Sequence, residues 1–197
     1  MDRYWLLTNT FYGNWLPGDR RGFVGHILEH RVGEDTSDRR IGHTVPGTTY
    51  DENLPDLQRA ALAQMKGEAI HLRKEQAEVL TSQFRETAQH WGWELLAVAV
   101  MFNHVHLVVG VADDPKPSKI LGDFKSWGTR KLTTCFGAPT SETWWTERGS
   151  KRKLPNPAAI QAAYEYVLYG QFEPLVTWSH EDERIDDLAR AENGMEE

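Results

Sequence analysis

The chain has 197 residues, 40% hydrophobic and 26% charged, which bounds it to one domain with insertions or one domain with a small appendage. That is long enough to bury a core without staples. Cys135 is the only cysteine, so an intrachain disulfide and a cysteine zinc cluster are both excluded. A net charge of −7 argues against nucleic acid until its distribution is read: Pro115 to Lys153 hold nine Lys/Arg against three Asp/Glu, a local +6 that leaves −13 elsewhere.

In chain order, "RYWLLTNTF" from Arg3 reads as a first strand, rich in aromatic and β-favouring residues. Residues 12–53 are polar and irregular, with "PGDRRG", "VGEDTSD" and "VPGTTYDEN", and read as a long insertion. "LPDLQRAALAQMKG" opens on a proline and has helical spacing. "KEQAEVLTSQFRETAQHWG" has it more strongly: Ala77, Leu80, Phe84 and Ala88 make one stripe, and Gly92 is a natural stop. "WELLAVAVM" and "HVHLVVGV" read as two strands of a tight hairpin, with Asn103 suited to an unusual backbone angle. "SKILGDFKSWGTRKLTTCFG" is an amphipathic helix with Ile120, Phe124, Trp127 and Leu132 on its apolar side. "TWWTERGSKRKL" reads as a further strand or an ordered loop. "NPAAIQAAYEYVLYGQF" is a last helix, with Asn156 as N-cap and Pro157 in its first position.

Strands and helices mix without regular βαβ alternation. That predicts an α+β domain with a mostly antiparallel sheet and helices packed on it. The domain is placed at residues 1–176, followed by an acidic tail over 177–197. No run approaches the roughly 20 apolar residues of a membrane span, and no cationic leader is present. The reading is a cytoplasmic protein without a membrane partner.

Two histidines interrupt the apolar stretch "VAVMFNHVHLVVGVA". In a strand, residues i and i+2 project to one face, so His104 and His106 sit side by side and Val105 points the other way, into the core. Such a pair is either two hydrogen-bonded histidines on a partly exposed face or two ligands of one divalent metal, which a third protein ligand or substrate oxygens must complete. In the last helix Ile160, Ala163, Tyr164, Val167 and Leu168 share the core face at about 100° per residue, leaving Tyr166 and Tyr169 on the other. These tyrosines are surface filler or a covalent nucleophile.

The basic central third carries Lys119, Lys125, Arg130, Lys131, Arg148, Lys151, Arg152 and Lys153, interleaved with Trp127, Trp144 and Trp145. It is a solvated lysine-rich surface or a site for single-stranded or hairpin DNA. The tryptophans are stacking platforms or core, with core preferred for Trp127. Arg20 and Arg21, first of all a turn in "PGDRRG", could also reach phosphates.

Together these features resemble the single-tyrosine HUH transposases, and within them the REP-associated tyrosine transposases and their insertion-sequence relatives. "FNHVHLVV" resembles the HUH motif in its "PNHVHLL" setting, "TWWTERGSKRKL" a tryptophan-bearing element, and Tyr166-Val167 the "YI"-like pair that follows. "YGNWLPGDRRG" looks like a segment of one subgroup, and the resemblance spans roughly Arg3 to Val176.

The resemblance implies a ferredoxin-like HUH endonuclease fold and a metal-dependent single-stranded DNA endonuclease and strand transferase acting on hairpin-containing DNA. His104 and His106 would hold Mg²⁺ or Mn²⁺, and Tyr166 would attack to form a 5′-phosphotyrosine, with Tyr169 in reserve. Monomers and homodimers both fit. The family commonly places a third ligand, Gln or Asn, four residues after the tyrosine; here that position is Gly170. Gln171 comes next, about 140° round a regular helix from Tyr166, and reaches the site only if the helix ends or distorts at Gly170. Gly170 also motivates an alternative, a DNA-hairpin-binding module with impaired catalysis.

Overall fold

A computed structural model describes Met1 and residues 3–19, 26–28, 40–42 and 55–181. Its elements are β1 (Arg3–Thr10), β2 (His26–Leu28), β3 (Arg40–Gly42), α1 (Pro55–Ala63), α2 (Lys74–Trp91), β4 (Glu94–Val100), β5 (His104–Val111), α3 (Pro117–Phe136), β6 (Ser150–Leu154), α4 (Pro157–Tyr169) and β7 (Val176–Ser179). The main sheet runs β6-β1-β5-β4-β7, and every neighbouring pair is antiparallel. β1-α2-β4-β5-α3-β6 is therefore a βαββαβ unit in the ferredoxin-like strand order, and α4 with β7 adds a fifth strand at the β4 edge. The α+β class and antiparallel sheet expected from the sequence are what the chain forms.

Alternation along β5 divides the molecule. Val105, Leu107, Val109 and Val111 face one core with Leu80 and Phe84 of α2 and Ile120, Phe124 and Leu132 of α3. Val108 faces a second core with Leu6, Ala97, Ala99 and Leu154, covered by Ala163 and Val167 of α4. Both faces of the central strands are thus buried, which is why β4 and β5 read as near-continuous apolar runs.

The helix boundaries have local causes. In α2 the Arg73 N–H donates to the Gln76 side chain at 2.9 Å, and Gly92 takes a φ of 64° to close the C-terminus. In α4 the Asn156 side chain accepts from the Ala159 N–H at 2.8 Å. Phe84 lies at the centre of the larger core, edge-on to Phe124 with centroids 5.5 Å apart. Phe84→Ala should cost about 3–5 kcal/mol in urea denaturation, through lost burial and the cavity left behind.

Several expectations need correction. The stretch read as an irregular insertion contains a short antiparallel pair, β2 with β3. Asn103 is not among the residues at positive φ, and the hairpin turns without a left-handed asparagine. Trp144 and Trp145, each 5% exposed, belong to the core, whereas Trp127 is only half-buried. Periodicity could not foresee this, because the loop carrying Trp144 and Trp145 docks back through a Phe11–Trp145 bridge. β7 carries the sheet to Ser179, past the boundary at 176. The tail from 182 onward lies outside the described residues.

Candidate active site

The site is built where β5 begins, on the face of the sheet that α4 covers. His104 and His106 share that face by alternation, as expected, and their Nε2 atoms approach to 3.0 Å. The outer nitrogen of each ring is held. Asn103 Oδ1 takes the His104 Nδ1–H at 2.6 Å, which leaves Nε2 as the lone-pair nitrogen. Thr8, the register partner of His106 on β1, places its hydroxyl 2.7 Å from His106 Nδ1. A hydroxyl can donate or accept, so Thr8 serves either tautomer.

Both imidazoles are neutral at ordinary pH. Burial pushes His104 down to about 4. Burial, then the neighbouring His104, pushes His106 down to about 3, against a side-chain hydrogen bond with Gln171 that favours its protonated form. In the unfolded chain a histidine titrates near 6.5. The unfolded state therefore binds more protons than the folded state below that pH. In chelator-treated protein, stability should be full above about pH 6.5 and fall as pH drops towards 3, by at most about 1.4 kcal/mol per pH unit for each histidine. Urea midpoints measured from pH 7 to 4 should show that slope, and His106→Gln should flatten it.

Tyr166 stands over the pair. Its ring lies 5.4 Å from the His106 ring, edge to face, while 46% of the residue remains exposed. Tyr169 is 78% exposed and further along the helix. Helix α4 ends at Tyr169, and the Gly170 N–H closes it on Tyr166 O at 3.0 Å. The break sends Gln171 back towards the site: its side-chain amide donates to Tyr166 O at 3.0 Å, and it hydrogen-bonds His106. Gln171, one residue past Gly170, thus sets its amide beside His106. Four groups from two elements and one loop meet here, the two histidines of β5, Tyr166 of α4 and Gln171.

The basic residues do not assemble around this point. α3, with Lys119, Lys125, Arg130 and Lys131, packs on the opposite face of the sheet. Lys119 is bonded to Asp123 at 2.6 Å and lies over the Trp91 ring. Lys125 turns inward, donating to the carbonyls of Thr146 at 2.6 Å and Glu147 at 3.1 Å, and burial lowers its pKa. Arg130 lies over Trp127. On β6 the side chains alternate. Ser150 and Arg152 pair with Thr8 and Leu6 and so project to the histidine side, whereas Lys151 and Lys153 project to the other. Arg148 is exposed in the preceding loop. Arg20 and Arg21 lie outside the described residues. Sequence reading missed Thr8: a threonine on β1 becomes a partner of His106 only through strand register.

No group of three or more His, Cys, Asp or Glu suited to a metal occurs among the described residues, so any metal here rests on the histidine pair with a neutral amide. No helix among them is long and apolar enough to cross a membrane.

Fold and site define a class: an antiparallel α+β domain that sets a half-exposed tyrosine against a pair of neutral histidines. Comparison with known proteins adds a family likeness over part of the chain. Residues 61–149 match the model of the family described as transposase IS200 like, in agreement with the resemblance read from the sequence. That stretch includes both histidines and ends before β6 and α4. None of the curated proteins matches the chain. Among solved structures, one of a REP-associated tyrosine transposase bound to a REP hairpin is similar over 84% of this chain, at 12% identity and a TM-score of 0.44. The chain spans 64% of that protein's length. A Deinococcus radiodurans R1 protein assigned as a transposase is similar over 82% of this chain and 87% of its own, at 14% identity and a TM-score of 0.43.

Proposed function

We propose that this chain is a metal-dependent single-stranded DNA endonuclease and strand transferase, acting on hairpin-containing DNA through a covalent 5′-phosphotyrosine on Tyr166. The observation that carries the reading is the convergence of Tyr166, His104, His106 and Gln171 on one point of the sheet. Two neutral imidazole nitrogens 3.0 Å apart, with a neutral amide beside them, could hold a divalent cation such as Mg²⁺ or Mn²⁺. Both rings are neutral, and their outer nitrogens are held by Asn103 and Thr8, as metal-bound histidines require. A cation bound there would draw charge from a phosphate oxygen and make the phosphorus a better electrophile.

The protein's own groups then have separable tasks. His104 and His106 would hold the cation. Gln171 would contribute its amide oxygen while its nitrogen stays on Tyr166 O. Tyr166 Oη attacks phosphorus, the bond to the 3′ oxygen breaks, and that oxygen leaves as a free hydroxyl carrying a proton. Attack by a 3′-hydroxyl on the phosphotyrosine reverses the step and joins strands without ATP. Arg152, on the histidine side of β6, is the basic residue best placed to meet the DNA backbone.

The test is incubation of radiolabelled single-stranded oligonucleotides carrying hairpins with the protein and Mn²⁺, followed by a denaturing gel. The expected result is a metal-dependent covalent adduct. Mn²⁺ titration separates this reading from a hairpin-binding module without chemistry. If the wild type binds Mn²⁺ no better than a His104→Ala, His106→Ala double variant, the catalytic reading fails.

A further inference from the structure

We infer that Trp15 is a nucleobase-stacking platform for the DNA strand beside the histidine pair, an inference that rests on the DNA reading above. The turn after β1 is built to hold this one indole. Gly13 has a φ of 76°, and a Cβ there would meet Met65 Cε at 2.6 Å and the Ala69 Cα at 2.7 Å, so only glycine fits. Asn14 is buried, and its side-chain amide donates to the carbonyls of Phe11, Tyr12 and Ile70 at 3.2, 3.3 and 2.9 Å. Its oxygen lies 3.1 Å from His71 Nε2. Between these anchors and Leu16, Trp15 is held at a φ of 50°, a left-handed conformation unfavourable for a bulky side chain. Such strain persists only where its surroundings over-determine it, and it clusters at functional sites.

The strain is not offset by burial of the indole. Trp144 and Trp145 are core, whereas Trp15 remains partly exposed, its ring 5.1 Å from that of His104 and tilted by 38°. Trp15, His104, His106 and Tyr166 form a continuous row of rings, with successive centroids 5.1, 4.7 and 5.4 Å apart. A strand whose phosphate sits between the histidines and Tyr166 has its neighbouring base within reach of this row's open end. A rigid indole there offers what any base can use, a flat π surface, and base–aromatic stacking is tolerant of sequence.

The test is fluorescence anisotropy without metal, using a labelled oligo(dT) and a control of equal length in which abasic sites replace the bases. Trp15→Ala should weaken oligo(dT) binding about tenfold and lose most of the preference over the abasic strand, while Trp15→Phe stays within about threefold of wild type. The inference is overturned if Trp15→Ala binds both strands as wild type does. It is also overturned if Trp15→Phe is as weak as Trp15→Ala, or if wild type does not prefer bases. The adduct assay keeps the two readings apart. An adduct together with unchanged Trp15→Ala binding removes the platform alone. A Trp15 deficit without any adduct removes the strand-cleavage reading alone.

Discussion

Tyr166→Phe should abolish the covalent protein–DNA adduct, lowering its formation by about a thousandfold or more, because the substitution deletes only the nucleophilic oxygen. DNA binding should change little, since the ring that packs on His106 remains. Stability should stay within about 0.5 kcal/mol of wild type, as expected for a half-exposed position. The denaturing-gel assay with Mn²⁺ reads the first effect and a urea titration the last. Tyr169→Phe is the control: at 78% exposure and further along the helix from the histidines, it should keep the adduct. If the adduct survives in Tyr166→Phe and disappears in Tyr169→Phe, the nucleophile is Tyr169.

The second large effect concerns the metal. His106→Ala should weaken Mn²⁺ binding at least about a hundredfold in calorimetry or Mn²⁺ electron paramagnetic resonance, because it removes a donor already aimed at its partner, 3.0 Å from His104 Nε2. His106 is also the hub of the site, touching Thr8, His104, Gln171 and Tyr166. Thr8→Val keeps the side chain's shape and leaves His106 Nδ1 without its hydroxyl partner; it should cost about tenfold in affinity. A graded series, with Thr8→Val mild and His106→Ala severe, is what a ligand and its orienting neighbour predict. Equal Mn²⁺ affinity in all three proteins would show that the pair is a hydrogen-bonded structural feature.

Period and alternation carried much of this fold in the sequence. The Ala77–Leu80–Phe84–Ala88 stripe, the apolar runs around the histidines, and Asn156-Pro157 before the last helix all act locally, and local signals survive in the chain's order. The pairing of His104 with His106 was legible for the same reason, since two residues apart on a strand means one face whatever the fold. The split of Tyr166 from the core face of α4 was legible too, because 3.6 residues per turn leaves no other arrangement. The sides taken by the basic run were not legible, because charge in sequence says nothing about sides: β6 alternation and the placement of α3 distribute its members over both faces of the sheet.

By itself, then, the sequence determined which residues share a strand or helix face, and hence that two imidazoles and a surface phenol were available. Only the tertiary structure decided that they meet. β1 docks on β5 in the register that puts Thr8 behind His106, α4 packs across that face, and the helix ends at Tyr169 so that Gln171 can fold back. The docking of β1 and the packing of α4 are long-range choices made by burial of Leu6, Ala99, Val108 and Val167 against one another, and contacts between residues so distant in sequence leave no periodic trace in it.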